Sequence, residues 1–169
     1  KQVRAFTTGQ LNALTSDQVR AIETGDLSVL GTEKLSVLDA DGVQALSTTQ
    51  VSSLTSGQVV SLRTEQFDVL KAEQVGALTT AQVAKIEAAD IAVLDSAQVA
   101  AWGTGQVSVL GTTQLASISN GAVTGLGTDR VAALSSDQVR ALTTGQLNAL
   151  TSNQVRAIET GDLSVLGTE

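Results

Sequence analysis

TTGQLNAL (residues 7–14) is followed without a gap by TSDQVRAI (15–22), ETGDLSVL (23–30) and GTEKLSVL (31–38), and the pattern runs on to ETGDLSVL (159–166) and a partial GTE (167–169). No insertion or deletion interrupts about 21 copies, so the chain reads as an array of one small unit rather than a scaffold around one site. With each octad numbered 1 to 8, positions 5 and 8 are apolar in every copy, position 4 is usually Gln, position 2 is mostly Thr, Ser or Ala, and position 3 is most often acidic or Gly. Apolar residues three apart share one face of a helix, whereas a strand would turn them to opposite faces. The pattern predicts an all-α, elongated repeat solenoid of short helices of about six residues, one per octad, with a two-residue corner between them. A β-solenoid is the alternative, because LSVL, FDVL and IAVL carry Val in strand-like alternation. Against it, position 7 is more often Ala or Ser than β-branched, and position 8 would fall on the wrong face.

Within one octad, a hydroxyl at position 2 (Thr8, Ser16, Thr24, Thr32, Thr48) suits a helix N-cap. The acids at position 3 (Asp17, Glu33, Glu65, Glu73, Asp129, Asp137) then lie in the first turn, where the helix dipole favours them. Gly at position 1 (Gly31, Gly103, Gly111, Gly127, Gly167) falls where a left-handed residue often ends a helix. Isolated helices shorter than ~12–15 residues are marginal in water, so each must bury its face on others, and stability should grow with copy number. Two or three octads can close a tight coil. Two is favoured, because Gly at position 3 (Gly9, Gly25, Gly57, Gly105, Gly121) falls only in odd copies of the first 17. Two octads per coil predicts a rod of about 100 Å.

A second periodicity overlies the first. Residues 1–33 and 137–169 agree at 30 of 33 positions, differing at Lys1/Asp137, Phe6/Leu142 and Asp17/Asn153. The offset is 136 residues, or 17 octads, which suggests a recent block duplication within a longer array. The expected organisation is one continuous solenoid over 1–169, cut from that array.

Composition narrows the function. The chain has 42% hydrophobic residues and 16% charged, too apolar for a disordered tail, and only three aromatics (Phe6, Phe67, Trp102), so a thin aliphatic core along an axis is expected. With 17 acidic and 10 scattered basic residues the net charge is −7, which argues against nucleic acid as a partner. No apolar run approaches the ~18 residues of a membrane span, so direct membrane insertion is not expected.

The inventory of chemistry is thin. His, Cys and Tyr are absent, which removes the usual general bases near neutrality, thiol nucleophiles, and imidazole or thiolate metal ligands. No enzyme, cofactor or metal is expected. Asp39 and Asp41 in LDADGV resemble a fragment of a calcium loop, but the remaining carboxylates are missing and a helix start is the simpler reading. Gly103-Thr104-Gly105 is a corner, since the strand and Lys-Ser/Thr ending of a phosphate loop are absent. Arg4, Arg20, Arg140 and Arg156 all occupy position 6, on the expected solvent side. The Thr/Ser column at position 2 could serve as an ice-binding ladder, but its free exchange with Ala favours capping.

The best candidate for a contact surface is Ser96–Thr128, 33 residues without a charge. Trp102 lies there at position 8 and reads as core. Gln98, Gln106, Ser108, Thr113, Gln114 and Thr124 are the outer residues expected to form a neutral band for lateral packing or ligand contact. The octad SNGAVTGL (119–126) lacks the Gln and has Gly125 at position 7, so it reads equally as a soft joint.

The pattern x-[TS]-x-Q-V-x-x-L, as in LSSDQVRALTTGQL (134–147), resembles the octapeptide arrays of long bacterial secreted or cell-surface proteins, over the whole chain. That resemblance implies an extracellular or bacterial surface location and a stalk or adhesin role. The expected function is a non-catalytic structural spacer whose partners are adjacent repeats of the parent protein. The alternative is a binding module using variable outer positions for protein, glycan or lateral self-association.

Overall fold

A computed structural model of the chain describes residues 3–158, apart from the Arg4 side chain. Eighteen short α-helices and two 3-10 turns follow one another, one per octad, with no strand among the described residues. Thr8–Asn12, Ser16–Arg20 and Thr48–Ser53 are typical, at five, five and six residues. The all-α expectation holds.

The cap sits one residue earlier than expected. Position 1, not position 2, is the N-cap: Thr7, Thr15, Ser47, Thr55, Thr79, Ser135, Thr143 and Thr151. Thr15 Oγ1 accepts from the Gln18 N–H at 3.3 Å, while Gln18 Oε1 accepts from the Thr15 N–H at 2.8 Å. This reciprocal capping box satisfies two donors that a helix start otherwise leaves free, and it needs Gln three residues after the hydroxyl. Asp17, Glu33, Glu65, Glu73, Asp129 and Asp137 do lie in first turns.

The glycine reading is corrected as well. Gly31, Gly103 and Gly111 are N-caps with φ of −61°, −83° and −68°, and no described residue is left-handed. Gly127 is likewise an N-cap, and Gly167 lies outside the described residues. The corner is instead made of two extended residues. The Leu54 N–H donates to the Val51 carbonyl at 3.2 Å, and Leu54 and Thr55 then take ψ of 144° and 155° before the next helix.

Helices pack at intervals of three octads. Ser16–Arg20 lies against Ala40–Ala45, which lies against Thr64–Val69, then Ala88–Ala92, Thr112–Ser117 and Ser136–Ala141. One coil is therefore three octads, 24 residues, and the two-octad expectation is corrected. Three sides let positions 5 and 8 converge on one axial core. The alternating glycines that suggested two do not mark a packing face: an added Cβ would meet nothing within 4 Å at Gly9 or Gly25. At the 8–10 Å spacing of packed helices, the six and a half coils of residues 3–158 rise about 50–65 Å, not about 100 Å.

Positions 5 and 8 form the core, from Leu11 and Val19 to Leu150 and Ile158. The exceptions lie at the two ends, where Leu14, Ile22 and Leu147 are half-buried and Val155 is 39% exposed. Phe67 and Trp102 fill core positions completely, although Trp102 Nε1 has no hydrogen-bond partner. The octad at 119–126 is a tight spot rather than a soft joint. It shortens to the 3-10 turn Val123–Gly125, and a Cβ on Gly125 would collide with the Ser96 carbonyl on the coil beneath.

Candidate functional site

The most ordered polar feature is a ladder of buried glutamines along the corners. Helix ends leave carbonyls unsatisfied, and here the Gln four octads further on, at the start of the helix after the one stacked above, supplies the donor. Gln58 Nε2 donates to Leu27 O and Leu30 O, each at 2.8 Å, while its Oε1 accepts from the Thr55 N–H at 2.8 Å. Gln66 reaches Leu35 and Leu38, Gln74 reaches Val43 and Leu46, Gln138 reaches Val107 and Leu110, and Gln146 reaches Leu115 and Ile118. Each side chain thus caps its own helix and bolts its corner to the corner beneath. Arg130 replaces one rung, donating from Nε to Trp102 O and from Nη2 to Ala100 O at 2.7 Å.

This ladder relocates half of the expected contact band. Gln98 and Gln106 are buried and Gln114 half-buried, with their amides on Phe67 and Leu70, Gly76 and Leu78, and Val83 and Ile86. Their outward placement is corrected: they are rungs. Ser108, Thr113 and Thr124 are exposed, but they belong to three successive octads and so lie on three sides of one coil. The structure does not bring the six together. Sequence reasoning missed the ladder, although the Thr/Ser-x-x-Gln capping pattern was the available signal.

The other candidates resolve into local structure. Asp39 caps Ala40–Ala45, accepting from the Gly42 N–H at 2.9 Å. Arg20 and Arg140 pair with Asp17 and Asp137 at 3.3 and 3.2 Å on the exposed surface. Arg156 is exposed, and the Arg4 side chain lies outside the described residues. Among the described residues no group of three acidic side chains could hold a metal, and no helix is long and apolar enough to cross a membrane. Two polar hollows of about 200 and 120 Å³ share Arg20, Gln44, Ala45 and Lys71. A groove of about 490 Å³ beside the first coil is lined by Val3, Phe6, Leu14, Ala21 and Ile22 together with Gln18, Glu23 and Asp26.

One rung is chemically odd. Asp90 stands where Gln would be, 4% exposed, and accepts from Thr64 Oγ1 at 2.8 Å. Desolvation raises its pKa; the Thr64 hydrogen bond opposes this, and the charges of Glu87 and Glu65 add to it. A carboxylate cannot donate to the Val59 and Leu62 carbonyls that a glutamine here would reach. Because the folded state holds the proton more tightly than the unfolded state, its contribution favours folding below the ordinary carboxylate value. That contribution is lost as pH rises through the raised folded value. Asp90→Gln should restore two bonds and stabilise the chain by about 1–3 kcal/mol at pH 7. The gain over wild type should shrink as pH falls toward the ordinary carboxylate value, read by urea unfolding; a gain that does not vary with pH would contradict the assignment.

The described residues 77–82 read Ala-Leu-Thr-Thr-Ala-Gln: a core leucine, the cap, the first helical turn and the rung. No curated protein matches the chain. The ALTTAQ repeat matches residues 19–56, 83–120 and 115–152, together more than half of the sequence, and the chain belongs to the ALTTAQ repeat family.

Proposed function

We propose that this segment is a non-catalytic spacer: a rod that sets distance in a long secreted or surface-attached bacterial protein. The observation that carries the reading is the glutamine ladder. It joins coil to coil through backbone carbonyls, which every octad presents whatever its outer residues are. Length can then be added one coil at a time, as in other one-dimensional arrays. The extracellular location rests on the resemblance to surface-protein octad arrays, and the absence of Cys and Met suits an oxidising exterior.

The binding-module alternative is less well supported. Seventeen octads are five coils and two octads, so equivalent outer residues of successive 136-residue blocks fall on different sides of the rod. A one-sided recognition surface does not build up from such blocks. Small-angle scattering tests the spacer directly. Adding one 136-residue block should lengthen the particle by about 45–55 Å at constant cross-section. A particle that thickens or stays compact would refute it.

A further inference from the structure

One octad in the middle of the array is held by fewer bonds than the octads around it. A rung residue donates to the octad four before its own, so most interior octads both give and receive a bond. Octad 87–94 does neither. Asp90 stands in the glutamine place and cannot donate to the Val59 and Leu62 carbonyls, and Ala122, four octads further on, has no donor for the Ile91 and Leu94 carbonyls. Among the described residues no side chain donates to any of these four oxygens. Octad 55–62 receives no rung but gives two bonds through Gln58, and octad 119–126 gives none but receives one from Gln154. The start of helix Ala88–Ala92 is bare as well: its N-cap, Glu87, makes no side-chain cap bond, and Asp90 forms no capping box with it. What remains is the burial of Ile91 and Leu94, and a bond at 2.8 Å from Thr64 Oγ1 to Asp90.

The coils on either side are tied to each other without it. Gln98 reaches Phe67 and Leu70, Gln106 reaches Leu78, and Gln114 reaches Val83 and Ile86. Helix Ala88–Ala92 is stacked between Thr64–Val69 and Thr112–Ser117, while the other two sides of the rod stack Ser96–Ala100 on Ala72–Gly76 and Thr104–Ser108 on Thr80–Val83. We infer that octad 87–94 is a hinge whose helix opens alone, on one side of the rod, while the other two sides hold the coils together, and that acid closes it. Opening returns a buried carboxylate to water. Glu87 on the same octad and Glu65 on the helix beneath add repulsion. Arg63 and Asp68 are the other charges of the octad beneath, Lys85 and Asp95 flank 87–94 in sequence, and Thr112–Ser117 carries none. Protonating Asp90 removes the drive to open, so the closed form gains as pH falls and loses as pH rises. The inference stands whether or not the array serves as a spacer.

Native-state hydrogen exchange, followed by NMR on the whole chain without denaturant, tests it. The amides of Ile91 and Leu94 make the same backbone bonds as those of Phe67 and Leu70 on the coil beneath and Leu115 and Ile118 on the coil above. At pH 7, after correction for intrinsic rates, Ile91 and Leu94 should exchange about tenfold faster or more than those four, through a local opening. The excess should shrink near pH 5. Asp90→Gln supplies the missing rung and should slow exchange at Ile91 and Leu94 about tenfold, with little change at Phe67 or Leu115. Asp90→Asn removes the charge but is one methylene short of a rung, and should erase the pH dependence while leaving the local opening. Equal exchange on all three coils of the wild-type protein overturns the inference, and that comparison decides even if a variant fails to fold. So does an opening that is unchanged near pH 5, or one that persists in a folded Asp90→Gln.

Discussion

Gln74→Glu is expected to destabilise the middle of the array by about 4 kcal/mol or more at pH 7, although it exchanges one amide nitrogen for oxygen. Gln74 is 1% exposed, its Oε1 accepts from the Lys71 N–H at 2.8 Å, and its Nε2 donates to Val43 O and Leu46 O at 2.9 and 2.7 Å. Glutamate keeps the acceptor, so the capping half survives. Its second oxygen meets two carbonyl oxygens, losing two hydrogen bonds and burying an unpaired charge. Gln74→Leu leaves the same carbonyls without their donor but adds no charge, and should cost less, about 3 kcal/mol.

Acid separates the two variants. The buried carboxyl of Gln74→Glu would have a raised folded pKa, so its penalty is full above that value and fades as pH falls toward the ordinary glutamate range. Once protonated, the group can donate to one carbonyl. Urea unfolding at pH 7 and near pH 4.5 should therefore show partial recovery for Glu and none for Leu, each measured against wild type. Equal losses for both variants at both pH values would mean that the amide contributes shape alone.

What the sequence made legible followed from the spacing of its apolar residues. Val19 and Ile22, or Val75 and Leu78, are three apart, which excludes a half-buried strand and gives one helix per octad. The number of octads per coil was not legible, because neighbouring octads are so alike that packing at intervals of two or three places equivalent residues together. The alternating glycines gave a false signal, since a Cβ at Gly9 or Gly25 would meet nothing within 4 Å and packing repeats every three octads, not two. The cap was assigned one residue late because positions 1 and 2 both carry hydroxyls, as in Thr7-Thr8 and Thr15-Ser16. That slip concealed the role of position 4. With the cap at position 1, Gln18 becomes the third residue of a capping box, and its remaining amide must find acceptors outside its own helix. The neutral stretch at 96–128 failed as a single surface for a related reason: without the coil geometry, sequence neighbours such as Ser108, Thr113 and Thr124 could not be assigned to sides.

Leu62→Asp should break the array rather than merely weaken it. Leu62 is a position-8 residue, 6% exposed, whose N–H closes the helix Ser56–Val60 on the Val59 carbonyl. Removing the side chain forfeits about 1.5–3 kcal/mol of burial, and the carboxylate adds the cost of an unpaired charge beside helix-end carbonyls. A total of about 5 kcal/mol is expected. Compact domains spread such a loss over one cooperative transition, but an array whose coils touch only their neighbours should localise it. The coils above and below remain bolted through Gln74, Gln82 and Gln98, which do not use Leu62. Urea unfolding of the variant should therefore split into two steps, with hydrogen exchange fastest around residues 56–70. A single transition shifted as a whole would show that the array unfolds as one body, and an unshifted curve would contradict the register in which position 8 faces the axis.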